Sequence, residues 1–376
     1  MHRVPCTVHP NFRNIVDSTN NIKKLLLPFS ALYGCVVWLR NKFFDWKILP
    51  VEEYPVLVIC VGNITVGGTG KTPHVEYLMR LLMRQYKVAV LSRGYKRKTS
   101  GFILADEKAT SRIIGDEPFQ MFRKFPQAVV AVDVNRRRGI KKLLSLPDDK
   151  KPQVILLDDA FQHRYVKPAC SILLIDSNRL IYEDALLPAG RLRESCSGKD
   201  RADMVIVTKC SSNLKPIDYR LLSKHLKLYP YQSLFFTAFE YGELTPCFED
   251  NHAGRKKMQE IKEDAYTVLL VAGIANPEGL ISELKMYAQQ LETLIFPDHH
   301  VFSENDFRKI ETKFAQLQRA NKLIITTEKD FVRLIDCELP EEIKKAMFYL
   351  PVTVVFKNNE EILFTKKIYN HVRNFK

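Results

Sequence analysis

Residues 56–86 read VLVICVGNITVGGTGKTPHVEYLMRLLMRQY. Residues 56–62 are an apolar run of strand length. Residues 74–86 carry apolar side chains at helical spacing. The turn between them is rich in glycine and ends in Gly70-Lys71-Thr72. The strict phosphate-loop pattern GxxxxGK[ST] is not met, because Thr65 stands where its first glycine would be and Gly67-Gly68 are doubled instead. The physical requirement is met all the same. Successive backbone N–H groups turn inward, at dihedrals that glycine adopts cheaply, and feed a helix N-terminus that favours anions. Residues Thr65, Val66, Gly67, Gly68, Thr69, Gly70, Lys71 and Thr72 are therefore expected to cradle a nucleotide triphosphate, with Lys71 on the β- and γ-phosphates and Thr72 on Mg²⁺.

Further apolar runs follow at VAVLSRG (88–94), AVVAVD (128–133), VILLDD (154–159), ILLID (172–176) and MVIVTK (204–209), with helix-like intervals between them. Such alternation predicts an α/β fold of the P-loop NTPase type, a parallel sheet with helices on both faces. From residue 231 the texture changes to a β ribbon and a charged linker. A second, smaller α/β block then carries TVLLVAGI (267–274), LETLIFP (291–297), KLIITTEKD (322–330) and FYLPVTVVF (348–356). The organisation read from this is an unassigned extension over 1–22, a helix over 23–47, a P-loop domain over 48–230, and a ribbon plus second α/β domain over 231–376. A chain of 376 residues is long enough for two cores.

The formal charge of +14 and pI near 9.3 favour an anionic partner: a phosphorylated substrate, an acidic membrane surface or a nucleic acid. Eight scattered cysteines without CxxC spacing read as reduced thiols. Residues 23–47, KKLLLPFSALYGCVVWLRNKFFDWK, place apolar side chains on one helical face flanked by Lys23, Lys24, Arg40, Lys42 and Lys47. The apolar stretch is about 15 residues where a membrane span needs roughly 20. It reads as an amphipathic helix in the membrane interface, or as one docked on the protein's own core. LYGC (32–35) resembles a lipoprotein cleavage site, but a nucleotide loop downstream argues against export.

Candidate catalytic groups stand at strand ends and turns. Asp158 and Asp159 close an apolar strand, where doubly wound sheets bind ligands and a carboxylate can hold Mg²⁺. Asp116 and Glu117, in GDEP, open a helix and could equally serve as its cap. Asp298, His299 and His300 follow a strand of the second block, and an Asp–His pair there can orient a base. Arg93, Arg191 and Arg193 are suited to clamping phosphate.

Taken together, TVGGTGKTP, SRGY, GDEP, DDAFQHR, LLPAGRLRE, AGIANP, FPDHHVF and TTEKD resemble the tetraacyldisaccharide 4'-kinase family of lipid A biosynthesis, from about residue 23 to the C-terminus. The resemblance implies an ATP- and Mg²⁺-dependent enzyme at the cytoplasmic face of the inner membrane. Its acceptor would be the 4'-hydroxyl of an acylated glucosamine disaccharide 1-phosphate, and no nucleic acid or stable protein partner is implied. It also implies catalytic roles for Asp116, His299, Asp298 and Lys71. Metal would be held by Thr72, Asp158, Asp159 and Glu117, and substrate contacted by Arg93, Tyr95, Gln162, His163 and Arg191. Two departures stand out: Ala160 occupies a position where the family often has glycine, and residues 1–22 have no counterpart. A membrane-associated P-loop NTPase switch without a lipid acceptor is the alternative. A nucleic-acid NTPase is a third reading, prompted by NRRRGIKK (135–142), although that run also reads as a solvated helix face.

Overall fold

The computed structural model describes residues 10–375 except 212, 250, 319–320 and 336, with side chains from residue 24 onward. The first sheet has nine strands. Seven are parallel: β1 (Leu57–Gly62), β2 (Val88–Ser92), β4 (Val129–Val132), β5 (Val154–Asp158), β6 (Cys170–Asp176), β7 (Met204–Thr208) and β8 (Ser233–Tyr241). The edges are antiparallel, with β3 (Ile103–Leu104) beside β4 and β14 (Val352–Phe356) beside β8. The order β14-β8-β7-β6-β1-β5-β2-β4-β3 puts β1 between β5 and β6, where the winding reverses. That reversal opens a crevice at the carboxyl ends of the strands. Strands β1, β2, β5 and β7 are buried throughout, which is why their sequences are unbroken apolar runs rather than alternating ones.

The second sheet, β11-β10-β12-β13-β9, is formed by β9 (Thr245–Pro246), β10 (Thr267–Ala272), β11 (Gln290–Ile295), β12 (Lys322–Thr327) and β13 (Met347–Leu350). It has a core of its own around Leu269, Ile324 and Phe314. The division expected at residue 230 is not where the sheets divide. The segment read as a linking ribbon supplies β8, paired in parallel with β7. The run FYLPVTVVF, read as one strand of the second block, is split at Pro351, with β13 in the second sheet and β14 in the first. Proline has no N–H for a ladder and fixes φ, so the chain changes sheets there. The final helix, Glu361–Asn374, also returns to the first lobe and buries Phe364 and Ile368 in its core. The second lobe is thus an insertion between β8 and β14, entered and left at neighbouring points where the Gly242 N–H bonds to the Pro351 carbonyl at 2.9 Å.

The N-terminal helix runs from Pro10 to Asp45, longer than the sequence reading, and the side chain of Lys23 lies outside the described ones. Its two stripes have different surroundings. Leu26, Ser30, Tyr33, Arg40 and Phe44 recur along the stripe that docks. The Ser30 hydroxyl donates to the Leu186 carbonyl at 3.0 Å and accepts from the Ala189 N–H at 2.9 Å, and the Tyr33 hydroxyl donates to the Arg193 carbonyl at 2.8 Å. The neighbouring stripe, Leu25, Phe29, Leu32, Val36 and Leu39, is exposed, Leu25 by 73% and Leu32 by 66%. No described helix is long and apolar enough to cross a membrane.

Candidate active site

The glycine-rich turn leaves β1 at the crevice and enters the helix Lys71–Leu82. Gly70 caps that helix in the left-handed region, at φ 83°, and a β-carbon there would collide with the Phe239 ring. Only glycine meets both conditions. The loop is braced from three sides. The Asn63 amide donates to the Thr69 hydroxyl at 2.9 Å from within, and the Val66 N–H bonds to the Arg191 carbonyl at 2.8 Å alongside. From the end of β7, the Thr208 hydroxyl donates to the Thr69 carbonyl at 2.9 Å and the Lys209 ammonium to the Gly68 carbonyl. The carbonyls of Gly68, Thr69 and Gly70 are engaged within the protein, as are the N–H groups of Val66 and Thr69, while the N–H groups of Gly67, Gly68 and Gly70 make no hydrogen bond among the described residues. His74, one turn into the helix, bonds the Gly70 carbonyl at 2.7 Å and the Thr237 hydroxyl at 3.0 Å. Burial pushes this imidazole down to about 4, so it stays neutral and donates one N–H while accepting at the other nitrogen.

The adjacent carboxylates at the end of β5 are turned apart by a left-handed backbone at Asp159, φ 47°, a conformation that costs energy for a non-glycine residue and clusters at functional sites. Asp159 faces cations, with Lys71 Nζ at 3.6 Å and Arg193 Nη1 at 3.1 Å. Asp158 is fully buried; its Oδ2 accepts from the Ser92 hydroxyl at 3.0 Å, and its Oδ1 has no partner. Burial first, then the charges of Glu117 and Asp159, push the Asp158 carboxyl up to about 7. An orphaned buried carboxylate oxygen among other carboxylates, together with the hydroxyl of Thr72 on the first turn of the helix that follows the phosphate loop, is a donor set that fits Mg²⁺. That ion takes one or two protein oxygens and completes its shell with phosphate and water. Among the described residues there is no cluster of three or more ligating side chains, and binding through one or two carboxylates does not need one.

Across the crevice, Asp116 opens the helix Asp116–Lys124 of the first lobe and meets two side chains of the second. Arg333 approaches its Oδ2 through Nε at 2.8 Å and Nη2 at 2.7 Å, and His299 Nδ1 lies 3.1 Å from the same oxygen. No hydrogen bond reaches Oδ1 from the described residues. Burial alone would raise the Asp116 carboxyl, but the His299 hydrogen bond and the Arg333 guanidinium together hold it below the usual carboxylate range. His299 Nε2 lies 3.1 Å from the Lys329 ammonium, which also pairs with Asp298 at 3.1 Å. Lysine and arginine can only donate, and His299 meets one at each ring nitrogen: Lys329 at Nε2, and Arg333 Nη2 at 3.2 Å from Nδ1, which also stands beside Asp116. His299 is itself left-handed, at φ 60°. Arg333 is aimed by the buried Asp330, which bonds its Nη1 at 2.9 Å and also accepts the Gly273 N–H.

The sequence and this fold were compared with known proteins. The model of the family described as "Tetraacyldisaccharide-1-P 4'-kinase" matches residues 22–371. The chain belongs to that family. It is 54% identical over 361 residues to the tetraacyldisaccharide 4'-kinase of Parabacteroides distasonis, covering 95% of this chain and 97% of that one. It is 46% identical over 357 residues to the Flavobacterium psychrophilum protein of the same name, covering 94% and 98%. Its fold matches the crystal structure of LpxK from Aquifex aeolicus in complex with ATP, at a TM-score of 0.71 and 28% identity, over 93% of this chain and 99% of that one. The chain is therefore a kinase of lipid A biosynthesis.

For a tetraacyldisaccharide 4'-kinase, the residues singled out from sequence fall into three groups. Lys71, Thr72, Asp158 and Asp159 meet at the loop, with Glu117 close enough to raise Asp158. Asp116, His299 and Asp298 meet across the lobes, and Tyr95 sets its ring edge-on to His299 at 5.4 Å. Arg93 and Arg191 are exposed at the rim. Two further residues, Gln162 and His163, follow Asp159 on the same loop. Gln162 is spent within the protein, its amide donating to the Asn63 carbonyl at 2.7 Å and to Glu194 at 3.0 Å. His163 sets its ring 5.6 Å from that of Tyr165. The sequence reading did not find Arg333 and Lys329. They sit four residues apart on one face of the short helix after β12, a spacing visible in TTEKDFVR that only the packing of Glu328–Leu334 on Asp116–Lys124 makes meaningful.

Proposed function

We propose that the loop binds ATP with Mg²⁺ and that the γ-phosphoryl group passes to the 4'-hydroxyl of an acylated glucosamine disaccharide 1-phosphate. The carrying observation is the arrangement of Asp116, in which one carboxylate oxygen takes every donor from the second lobe and the other is left for the acceptor. Arg333 and His299 keep Asp116 ionised and fixed in direction. The free oxygen orients the sugar hydroxyl in line and takes its proton as the bond to phosphorus forms. Held low, this carboxylate is a weak base, which suits phosphoryl transfer, where positioning and charge neutralisation supply most of the acceleration. Lys71 neutralises charge developing on the transferred group, and Asp158 with Thr72 would hold Mg²⁺, which would supply further neutralisation of phosphate charge. Asp159 holds Lys71 and Arg193 in reach. Because Asp116 lies on one lobe and His299, Lys329 and Arg333 on the other, the site is complete only while the lobes are together, which keeps water from the phosphate.

The exposed apolar stripe of the N-terminal helix and the +14 charge support a protein lying on an anionic bilayer, which we place at the cytoplasmic face of the inner membrane, where ATP is available. Transfer of labelled γ-phosphate to the acylated acceptor in detergent tests the proposal. Wild type should label the lipid, while Lys71→Ala and Asp116→Asn should lower kcat by a factor on the order of 10²–10⁴. Release of free phosphate at the same rate with or without lipid would instead favour an NTPase switch.

A further inference from the structure

Strand β6 runs past the end of β1. Gly62, the last residue of β1, pairs with Leu173, and β6 continues to Asp176, so the turn that follows it stands level with the phosphate loop. Asp176 builds that turn. Its Oδ1 accepts the Asn178 N–H at 2.9 Å while its carbonyl accepts the Arg179 N–H at 3.0 Å, the Asx geometry that fixes a tight turn from its first residue. Its Oδ2 takes the Lys209 ammonium at 2.7 Å, and the same ammonium donates to the Gly68 carbonyl, so turn and loop are tied together. This tie delivers Arg179 to the loop. Its Nη1 lies 3.7 Å from the point where a β-carbon on Gly67 would stand, and among the described residues only the chain neighbours of Gly67 could come as close. The other cations here face carboxylates: Lys71 and Arg193 face Asp159, and Lys209 faces Asp176. Arg179 is exposed, and its side chain makes no hydrogen bond or ion pair among the described residues. Glu183 and Asp184 line the same hollow, but Asp184 accepts the backbone N–H groups of Ala185 and Arg191 at 2.8 and 3.2 Å, and neither pairs with Arg179.

We propose that Arg179 contacts the terminal phosphates of the bound nucleotide and stabilises the charge that develops as the γ-phosphoryl group is transferred. The assignment rests on the ATP site proposed above. As the bond from the 4'-oxygen to phosphorus forms, the bond from phosphorus to the oxygen shared with the β-phosphate breaks, and the hydroxyl proton passes to Asp116. Negative charge gathers on the oxygen that leaves with ADP. Because β1 lies between β5 and β6, Lys71 meets the phosphates from the Asp159 side and Arg179 from the other. A guanidinium in this role acts on the transition state more than on nucleotide binding. Having no carboxylate partner, it reaches the phosphates without breaking an ion pair, and its planar fork can bond two oxygens at once.

The test is transfer of labelled γ-phosphate to the acylated acceptor in detergent by wild type, Arg179→Ala and Arg179→Lys. Arg179→Ala should lower kcat by a factor on the order of 10²–10³, with KM for ATP, KM for the acceptor and Tm little changed. Arg179→Lys, which keeps the charge without the planar fork, should recover part of the loss. With Mg²⁺ and acceptor present, ADP with aluminium fluoride, a mimic of the phosphoryl group in transfer, should bind wild type more tightly than ADP alone. Arg179→Ala should lose that gain. An unchanged kcat would overturn the assignment, and so would a raised KM for ATP with kcat intact, since the guanidinium would then hold only the ground state. So would a raised KM for the acceptor that disappears when its 1-phosphate is removed, because the guanidinium would then serve that phosphate instead. Absence of transfer by the wild type would overturn the ATP and acceptor reading, and this assignment with it.

Discussion

Lys124→Met removes the cation between two carboxylates that belong to different lobes. The Lys124 ammonium lies 2.7 Å from Glu76, on the helix that follows the phosphate loop, and 2.6 Å from Glu328, which opens the second-lobe helix carrying Lys329 and Arg333. Glu76 is 1% exposed and also accepts from the Gln120 amide at 2.7 Å. Burial would lower the Lys124 pKa, but Glu76 and Glu328 outweigh it and hold it above the usual lysine value. Glu328 is raised, first by burial and then by Glu76. Removing one partner of a buried pair costs about 3–5 kcal/mol. Lys124 is 22% and Glu328 13% exposed, so the lower end applies, about 3 kcal/mol. With an unfolding entropy of roughly 2.1 cal/mol/K per residue, 376 residues give roughly 0.8 kcal/mol/K and a fall in Tm of about 4 K if the chain unfolds as one unit.

The pH dependence fixes the cause. A lysine with a raised folded pKa contributes fully below its unfolded value and loses that contribution only as pH rises through the folded one, so Lys124 adds no slope between pH 5 and 8. In the variant, Glu328, already raised by burial and by Glu76, faces Glu76 with no cation between them, although Glu76 keeps Arg80 at 3.5 Å and the Gln120 amide, and the two carboxylates repel. Their deficit is present at pH 8 and shrinks as pH falls and a proton is taken up. Thermal unfolding followed at pH 5 and pH 8 should show the difference from wild type narrowing at the acid end, and Lys124→Arg should recover most of the loss. Activity should fall as well, because Arg333 rides on the helix that Glu328 anchors. A deficit equal at both pH values, or below about 1 kcal/mol, would refute the account.

Arg333→Met takes away one of the two groups that hold Asp116 below the usual carboxylate range, so the Asp116 pKa rises. The acid limb of the kcat/KM profile should move to higher pH, with KM for ATP little changed. Lys209→Met frees the Gly68 carbonyl at the crown of the phosphate loop and leaves Asp176 without its 2.7 Å partner. It should raise KM for ATP more than it lowers kcat, with Lys209→Arg intermediate. Leu32→Asp combined with Val36→Asp places charges on the exposed stripe of the N-terminal helix. The pair should abolish flotation with anionic vesicles while leaving Tm and activity on detergent-dispersed acceptor unchanged.

The phosphate loop was legible because its requirements are local: a strand, glycines at left-handed positions and a helix start lie within thirty residues. The first-sheet strands were legible because burial on both faces writes itself as unbroken Val, Ile and Leu. Asp116 and His299 could be named from motifs, although 183 residues separate them. The chain's return to the first lobe could not be read, because FYLPVTVVF has the composition of one strand and only Pro351 marks the exchange of sheets. Arg333 and Lys329 were hidden for a related reason. Charged residues at helical spacing look like a solvated face until the opposing lobe is in place. Gln162 and His163 lie in the same short motif as Asp159, and the left-handed turn at Asp159 that sets their surroundings is not displayed by a sequence.

The insertion of the second lobe between β8 and β14 bears on how the chain is made. A ribosome delivers β8 more than a hundred residues before β14 and the last helix, so the first lobe emerges lacking an edge strand and the aromatic cap of Phe364. The inserted lobe completes its sheet at Leu350, and the phosphate-binding lobe then still waits for β14 and the last helix, which ends at Asn374. Nucleotide binding is therefore expected to be among the last properties a nascent chain acquires, and a product truncated shortly before residue 352 should hold a folded second lobe beside a first lobe with an open edge.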